Sequence, residues 1–259
     1  MRFASLGSGS RGNALVVEAD DGGSKTRVLL DCGFGPRELA LRLARLGLVA
    51  DDLDAILVTH EHSDHSAGVY KCARRHSLEV FLTHGTQAAM PRDRGEPPLL
   101  AIIDSHAAFA IGALEIRPFP VPHDAREPVQ FVFCDRRHRL GVLTDTGAAT
   151  PHIIAMLDAC DALVLECNHD SEMLSRGDYP WHLKQRIAGR FGHLDNQAAA
   201  RLLAALDRSR LQHLVAAHLS EQNNTPDLAR AALAGAAECA EDWIVIASQE
   251  GGSPWRELL

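Results

Sequence analysis

A short segment rich in histidine and aspartate is the most chemically informative part of the sequence. The segment follows the apolar run at residues 55–58, and a loop at the end of a strand can aim successive side chains in different directions. Imidazole and carboxylate ligands suit zinc, manganese or iron(II), and this segment offers no thiolate. One pair of imidazoles can therefore serve one metal while an aspartate and a histidine serve a neighbouring one. The residues concerned are His60, His62, Asp64 and His65.

The sequence VTHEHSDHSAG at residues 58–68 resembles the signature of the metallo-β-lactamase superfamily. The resemblance implies a four-layer αββα sandwich and two divalent metal ions, with further ligands supplied after later strands. It identifies these ligands as His123 in PFPVPHDA, Asp145 in GVLTDTG and His218 in LVAAHLSEQN. The implied ligand sets are His60, His62 and His123 for one metal and Asp64, His65 and His218 for the other, with Asp145 bridging.

Asp31, in VLLDCG, resembles the first-motif aspartate of the superfamily, which fixes an imidazole ring and supports the metal-binding loop. A simple turn or capping role is the alternative for this residue. Two other histidines compete with His123 for the third-motif role, namely His84 and His106. Neither lies in a segment that resembles the motif, so we favour His123.

Two residues further along the chain are predicted to move a proton. Glu166 ends the apolar run ALVLE, and His193 lies in Gly-His-Leu just before a predicted helix. This segment resembles the histidine loop of phosphodiesterases such as ribonuclease Z, in which a histidine supported by a glutamate serves as general acid. We therefore predict His193 as the proton donor and Glu166 as its partner. The alternative is that His193 only anchors the loop.

Longer segments are similar to the YycJ/WalJ group of this superfamily: SLGSGSRGNALVVE, LVLECNHD, YPWHLKQRIAGRFGHLDN and AAHLSEQNNTP. That group is associated with 5′-to-3′ exonuclease activity on DNA. The resemblance implies a metal-dependent phosphodiesterase acting on nucleic acid, in which Asp64 orients a hydroxide held between the two metals. Two rivals stay open: a hydrolase of thioesters, lactones, lactams or cyclic phosphodiesters on the same fold, and a metal-binding regulatory protein without turnover.

Three further residues are expected near the site. Asn13 ends a Gly-rich segment whose backbone amides could contact phosphate, and Lys184 belongs to a basic set that precedes His193. For His169, in ECNHD, substrate contact, support of a metal ligand and a structural role all stay open. The basic set is Lys184, Arg186 and Arg190, and a second candidate for backbone binding at a predicted hairpin tip is Arg136, Arg137 and Arg139; solvated surface charge is the alternative for both.

The predicted elements place the candidate ligands at strand ends. Strands are predicted at 2–6, 14–18, 27–30, 53–59, 79–83, 114–120, 129–134, 140–144, 162–166, 211–217 and 243–247. Helices are predicted from Pro36 to before Gly47 and at 67–76, 151–157, 183–190, 196–206 and 226–239. Because strand groups are flanked by helices in both halves, the pattern favours an αββα sandwich. Since no linker or repeat interrupts it, we predict a single domain over residues 1–259.

Net charge, cysteine content and the lack of long apolar runs indicate what kind of protein this is and where it is located. The formal net charge of −8 argues against a general nucleic-acid-coating protein but leaves room for a local basic surface. The six cysteines form no Cys-x-x-Cys pair, which favours reduced thiols over a disulfide framework. Neither a signal peptide nor an apolar run of membrane-spanning length is evident, so we expect a cytoplasmic protein without a membrane partner. The Pro-rich loop at 90–100 is expected to be a surface excursion near the site.

Overall fold

The computed structural model describes residues 1–91, 95 and 98–259. Its strands, in chain order, are β1 (Arg2–Gly7), β2 (Ala14–Asp20), β3 (Lys25–Leu30), β4 (Ala55–Leu57), β5 (Glu79–Thr83), β6 (Leu100–Ile103), β7 (Phe109–Ile111), β8 (Leu114–Pro120), β9 (Val129–Cys134), β10 (Arg139–Leu143), β11 (Ala162–Glu166), β12 (His213–Ala217), β13 (Val245–Ile246) and β14 (Arg256–Glu257). Its α-helices are α1 (Pro36–Arg45), α2 (Ser63–Ser66), α3 (Val69–His76), α4 (His84–Ala89), α5 (Pro151–Leu157), α6 (Ser171–Arg176), α7 (Trp181–Ile187), α8 (Asn196–Ala205) and α9 (Pro226–Ala237).

The described strands form two mixed sheets, in the orders β14-β1-β2-β3-β4-β5-β6 and β13-β12-β11-β10-β9-β8-β7. In the first sheet β3, β4, β5 and β6 run parallel, and in the second β10, β11, β12 and β13 do so. The other pairs are antiparallel. Because parallel strands end at one edge, each sheet gathers the loops after its parallel strands in one place.

Successive side chains along a strand face opposite sides of its sheet, and this alternation separates the cores of the structure. Val28 and Leu30 pack between the two sheets, whereas Leu29, between them in sequence, faces a separate core that includes α1 and α3 residues. On the other sheet Val215 faces the central core, and Leu214 faces a third core shared with α5, α8 and α9. The predicted αββα sandwich is therefore confirmed.

Differences from the predicted elements are confined to short or marginal segments. The predicted strand 53–59 is reduced to β4, because the backbone turns at Val58 and Thr59 to start the histidine-rich loop. The strand predicted at 243–247 is only two residues long, since a 3-10 helix occupies Glu241–Trp243. The strands and α-helices that the periodicity did not indicate are α2, α4, α6, β6, β7 and β14.

Two expectations concern surfaces rather than the core. Of the loop at 90–100, residues 92–94 and 96–97 lie outside the described part of the chain, and β6 begins at Leu100. Across the residues that the structure describes, no helix combines the length and apolar character needed to cross a bilayer.

Candidate metal centre and active site

The histidine-rich segment forms a loop and a single helical turn after β4. The turn is α2, in which the backbone N–H of His65 donates to the carbonyl oxygen of His62 at 3.0 Å. His60 and His65 are fully buried, whereas the side chains of His62 and Asp64 keep 29% and 21% of their area exposed. The change from extended chain to helical turn divides the four side chains into two groups.

The first group joins the loop to the end of β8. Ring nitrogens of His60, His62 and His123 all lie within 4.8 Å of one another. Nε2 of His123 is 3.3 Å from Nδ1 of His62. The other ring nitrogen of His123, Nδ1, lies 3.1 Å from the carbonyl oxygen of Gly192 and can donate to it. This hydrogen bond fixes the tautomer that presents Nε2 to the cluster.

The second group joins α2 to the end of β12. Ligand atoms of Asp64, His65 and His218 lie within 4.8 Å of one another. Asp145, which follows β10, lies between the groups: its carboxylate oxygens are 3.2 Å from Nε2 of His65, 3.6 Å from Nε2 of His218 and 4.0 Å from Nε2 of His123. The structure thus brings together all seven residues that were predicted as metal ligands, with Asp145 in contact with both groups.

Three site residues have a left-handed backbone. The φ angles of Asp31, Asp145 and His218 are 60°, 50° and 56°. Each residue comes one or two positions after a strand, and the reversal of φ turns its side chain sideways over the edge of the sheet. Non-glycine residues adopt this region rarely, although Asp and His tolerate it better than most, and such strain concentrates at functional sites.

Asp31 supports the histidines from below. Its Oδ2 atom lies 2.7 Å from Nδ1 of His65, and its Oδ1 atom accepts the backbone N–H of Thr59 at 2.8 Å. The hydroxyl of Thr59 also lies 2.9 Å from Nδ1 of His60. Asp31 and Thr59 therefore orient two rings so that Nε2 of each faces the centre. Threonine at a strand end reads as ordinary β propensity, so nothing in the sequence singled out Thr59.

Asn13 closes the same side of the site. Its Nδ2 atom is 3.2 Å from Oδ2 of Asp64 and 3.1 Å from Nε2 of His65, and its backbone N–H donates to the carbonyl oxygen of Asp64 at 2.7 Å. Gly33 makes this approach achievable, because a Cβ there would lie 1.8 Å from the Asp64 carbonyl oxygen. Asn13 thus contacts the metal-binding turn rather than open cleft.

Glu166 and His193 form a close pair at the other side. Nδ1 of His193 lies 2.8 Å from Oε1 of Glu166, while Oε2 accepts the backbone N–H groups of Thr146 and Leu194 at 3.1 and 3.0 Å. Burial alone would raise the pKa of Glu166, but the facing imidazole lowers it to about 2. Burial alone would lower the pKa of His193, and the Glu166 carboxylate raises it instead. The pair is a charged hydrogen bond.

The donor set fits divalent cations. Among the described residues, the ion-pair partners of Asp31, Asp64, Asp145 and Glu166 are histidines only. Burial alone would lower the pKa of His218, yet the carboxylates of Asp145, Asp64 and Glu166 raise it to about 10. Buried atoms without a hydrogen-bond partner in the described chain include Nε2 of His60, Nε2 of His218 and Oδ2 of Asp145. Three buried carboxylates and the partly exposed Asp64, with unpaired ligand atoms around them, call for added positive charge.

A cleft of about 390 Å³ opens over both groups and the His193 ring. One wall comes from the segment around α7, which supplies Tyr179, Leu183, Arg186 and Ile187. Lys184 does not line the cleft; its Nζ atom donates to the carbonyl oxygen of Ser175 at 2.7 Å. The complete lining is Ser10, His62, Ser63, Asp64, Asp145, Asn168, Tyr179, Leu183, Arg186, Ile187, His193, His218 and Ser220.

The alternatives left open by the sequence separate in space. His84 begins α4 and His106 is exposed, and neither is part of the histidine groups. His169 is buried, its backbone pairs with Asp195, and its Nδ1 atom lies 3.3 Å from Oδ1 of Asn168.

The two basic sets lie in different parts of the structure, and only the set around α7 is near the cleft. The hairpin tip that carries Arg136, Arg137 and Arg139 lies at the opposite end of β10 from Asp145, away from the cleft.

Sequence reasoning did not single out Asn168 and Asp124. The Nδ2 atom of Asn168 donates to the carbonyl oxygen of His218 at 3.0 Å. Asp124 joins the histidines to the α7 wall, with its carboxylate 3.5 Å from His123 and 2.5 Å from Arg186.

The sandwich and its histidine and carboxylate centre define a metal-dependent hydrolase, and the chain belongs to the β-lactamase superfamily. The family model for the beta-lactamase superfamily domain matches residues 26–218.

Two exodeoxyribonucleases and one solved structure are similar to the chain over most of its length. The chain is 36% identical to the exodeoxyribonuclease YycJ of Bacillus anthracis over 89% of this chain and 86% of that protein. It is 34% identical to the exodeoxyribonuclease WalJ of Streptococcus pneumoniae over 88% and 85% of the two chains. The metallo-beta-lactamase fold protein YhfI of Bacillus subtilis has the same fold, with a TM-score of 0.72, 16% identity and 99% of both chains covered.

Proposed function

We propose that this protein is a cytoplasmic, metal-dependent exodeoxyribonuclease that degrades DNA from the 5′ end. The observation that carries the proposal is the arrangement of one cleft: two ligand groups joined by Asp145, with the His193–Glu166 pair at their edge. The names of the YycJ and WalJ relatives support DNA as the substrate and removal of nucleotides from an end. The fold alone would not choose among the superfamily's substrates.

The two cations that we assign to this site are zinc, manganese or iron(II). His60, His62 and His123 would hold one and Asp64, His65 and His218 the other, with Asp145 shared. Bound there, the ions would supply Lewis acidity to the phosphate and to the attacking water. Asp31 and Asn13 would hold the ligands in position, in line with their contacts to His65 and Asp64.

The remaining chemistry belongs to side chains of the chain itself. We assign to Asp64 the orientation of the attacking water. Its partly exposed carboxylate can accept a hydrogen bond that this water donates. We assign the proton donor's role to His193: Glu166 engages its Nδ1 atom and raises the pKa of the ring, which leaves Nε2 to donate a proton to the departing sugar oxygen. Glu166 holds the ring in the orientation from which that proton is transferred.

A direct assay tests this proposal. Purified protein loaded with Mn²⁺ or Zn²⁺ is incubated with DNA and RNA oligonucleotides carrying a 5′-phosphate or a 5′-hydroxyl and a 3′ label, alongside a thioester and a lactam. Stepwise shortening of DNA from its 5′ end is the expected result. Turnover of the thioester or lactam alone would replace this function with another hydrolysis on the same scaffold, and metal binding without any turnover would favour a regulatory role.

The cytoplasmic assignment rests on the thiols. All six cysteines are free, and the buried pair Cys32 and Cys72 stays unlinked with its sulfur atoms 3.6 Å apart. Unlinked thiols so close together fit a reducing compartment. Fractionation of cells that express the tagged protein checks this assignment, and recovery in an extracytoplasmic fraction would contradict it.

A further inference from the structure

The wall of the cleft formed by residues 177–192, which we call the α7 arm, has no role in the core. None of the α7 residues is buried. Backbone hydrogen bonds hold the arm instead. At its start the N–H of Gly177 donates to the carbonyl oxygen of Met173 at 2.7 Å, and at its end the N–H of Asp124 donates to the carbonyl oxygen of Phe191 at 3.0 Å. A helix without buried side chains does not need apolar residues for folding. Apolar residues on such a helix therefore need another explanation.

Only one side of the arm faces the cleft. Leu183 and Ile187 are one helical turn apart, so they share a face, and both line the cleft together with Tyr179. Trp181 lies about 200° around the helix from Leu183, at about 100° per residue, and is not among the cleft residues. Its side chain is 72% exposed. The cleft thus has an apolar strip opposite its charged metal-binding side.

The arm is also basic in an acidic protein. The chain has a net charge of −8, yet the arm carries three cations, Lys184, Arg186 and Arg190, against one carboxylate, Asp178. One of these cations, Arg186, lines the cleft with its side chain 61% exposed, and its Nε atom is 2.5 Å from Oδ2 of Asp124. An apolar strip beside a cation suits a planar base joined to a phosphate. An uncharged acyl group would make no ion pair with the arginine.

We propose that the α7 arm binds the terminal nucleotide of a single DNA strand, with its base on Tyr179, Leu183 and Ile187 and its phosphate backbone at Arg186. This inference rests on the proposed function and adds the form of the substrate. The cleft of about 390 Å³ is at the small end of ligand sites, which suits one strand with a separated terminal base better than the end of a duplex. The strip is apolar, so the arm accepts every base.

Kinetics of the metal-loaded full chain test the proposal. The substrates are a 5′-phosphorylated oligothymidylate of twelve nucleotides, alone or annealed to its complement, and bis(4-nitrophenyl) phosphate as a diester without a base. Burial of a leucine side chain against an apolar partner is worth about 1.5–3 kcal/mol, so L183S should raise the KM for the single strand about tenfold, and much less for the small diester. W181A, on the other face of the same helix, is the matched control and should change neither value more than about twofold. The wild type should prefer the single strand.

Arg186 provides a second readout. R186Q should reduce the slope of log KM against log salt concentration by about one, because one phosphate contact is lost. A loss in L183S that is equal on the oligonucleotide and the small diester would overturn the arm proposal alone, as would a larger loss in W181A than in L183S. A wild-type protein that cleaves the small diester but no DNA would overturn the proposed function, and the arm proposal with it.

Discussion

Glu166 holds His193 through one oxygen and the backbone through the other: Oε1 lies 2.8 Å from Nδ1 of the ring, and Oε2 accepts the N–H of Leu194 at 3.0 Å. The carboxylate therefore fixes both the imidazole and the loop that carries it. Because Nδ1 is engaged, the proton that faces the cleft is the one on Nε2. This relationship underlies the first prediction.

Replacement of His193 with alanine should lower kcat by a factor on the order of 10²–10⁴, the usual worth of general acid catalysis. Metal content should not change, because the seven predicted ligands stay in place. Elemental analysis and oligonucleotide turnover measure the two quantities. H182A is the matched control, since His182 lies on exposed surface of α7, and should retain full activity. Unchanged turnover in H193A would leave the residue as a loop anchor.

The Asp31–His65 hydrogen bond should determine metal affinity. Asp31→Asn removes the charged acceptor that holds Nδ1 of His65 at 2.7 Å, and loss of such a partner weakens metal binding roughly 10- to 100-fold. Competition with a chelator of known affinity measures the change. A surface pair of the same type, Asp51 with His76 at 2.6 Å, provides the control, and D51N should bind metal as the wild type does. Equal affinities in the two variants would reduce Asp31 to a turn residue.

Removal of metal should destabilise the fold. Among the described residues only histidines neutralise the four carboxylates of the site, so the metal-free protein loses the binding free energy of its ions, about 4 kcal/mol at a concentration a thousand times the Kd. Thermal unfolding before and after dialysis against EDTA should show a fall in Tm of roughly 10 °C. Added Mn²⁺ or Zn²⁺ should restore the Tm, whereas Mg²⁺, which binds imidazole poorly, should not. A Tm insensitive to chelation would argue against resident metal.

Stability should depend on pH through Glu18, far from the site. This carboxylate is 4% exposed and accepts hydrogen bonds from Arg2 and Arg27 at 2.6–3.0 Å. Burial alone would raise its pKa, but the two arginines lower it to about 2. Because the folded pKa lies below the unfolded one, the stabilisation is complete above about pH 4.5 and disappears as the pH falls towards 2.

Glu18→Gln should therefore cost about 2 kcal/mol of the free energy of unfolding at pH 7, and less as the pH approaches 2. Urea unfolding at several pH values measures the difference. The exposed pair of Glu115 and Arg117 is the control, and E115Q should cost under about 0.5 kcal/mol at any pH. A cost in E18Q that is constant with pH would mean that packing, rather than charge, explains the effect.

The metal-binding residues were accessible to sequence reasoning because they are strand-end side chains in contiguous motifs. Periodicity located β3, β10 and β12, and the residues after these strands, Asp31, Asp145 and His218, lie where parallel strands share an edge. What no pattern indicated is the left-handed backbone at those positions. That conformation comes from the tertiary arrangement, and the tolerance of aspartate and histidine for it is too weak a signal to predict it.

Other features were hidden for different reasons. β14 has only two residues, too few for alternation to be recognised, and exists because β1 supplies its hydrogen bonds. Asn168 and Asp124 act through contacts with residues 50 and 62 positions away in sequence. Lys184 and Arg186 carry the same charge two positions apart, so the sequence does not distinguish them. Only the direction of each side chain on α7 explains why Arg186 lines the cleft and Lys184 does not.

The absence of buried side chains from α7 has an evolutionary consequence. Folding stability usually limits which substitutions a protein survives, and a helix that contributes nothing to the core is released from that limit. Residues 181–187 can change one after another while the ligands on the strand ends stay as they are. Related chains could thus acquire new preferences by drift in this wall, with the reaction itself inherited intact.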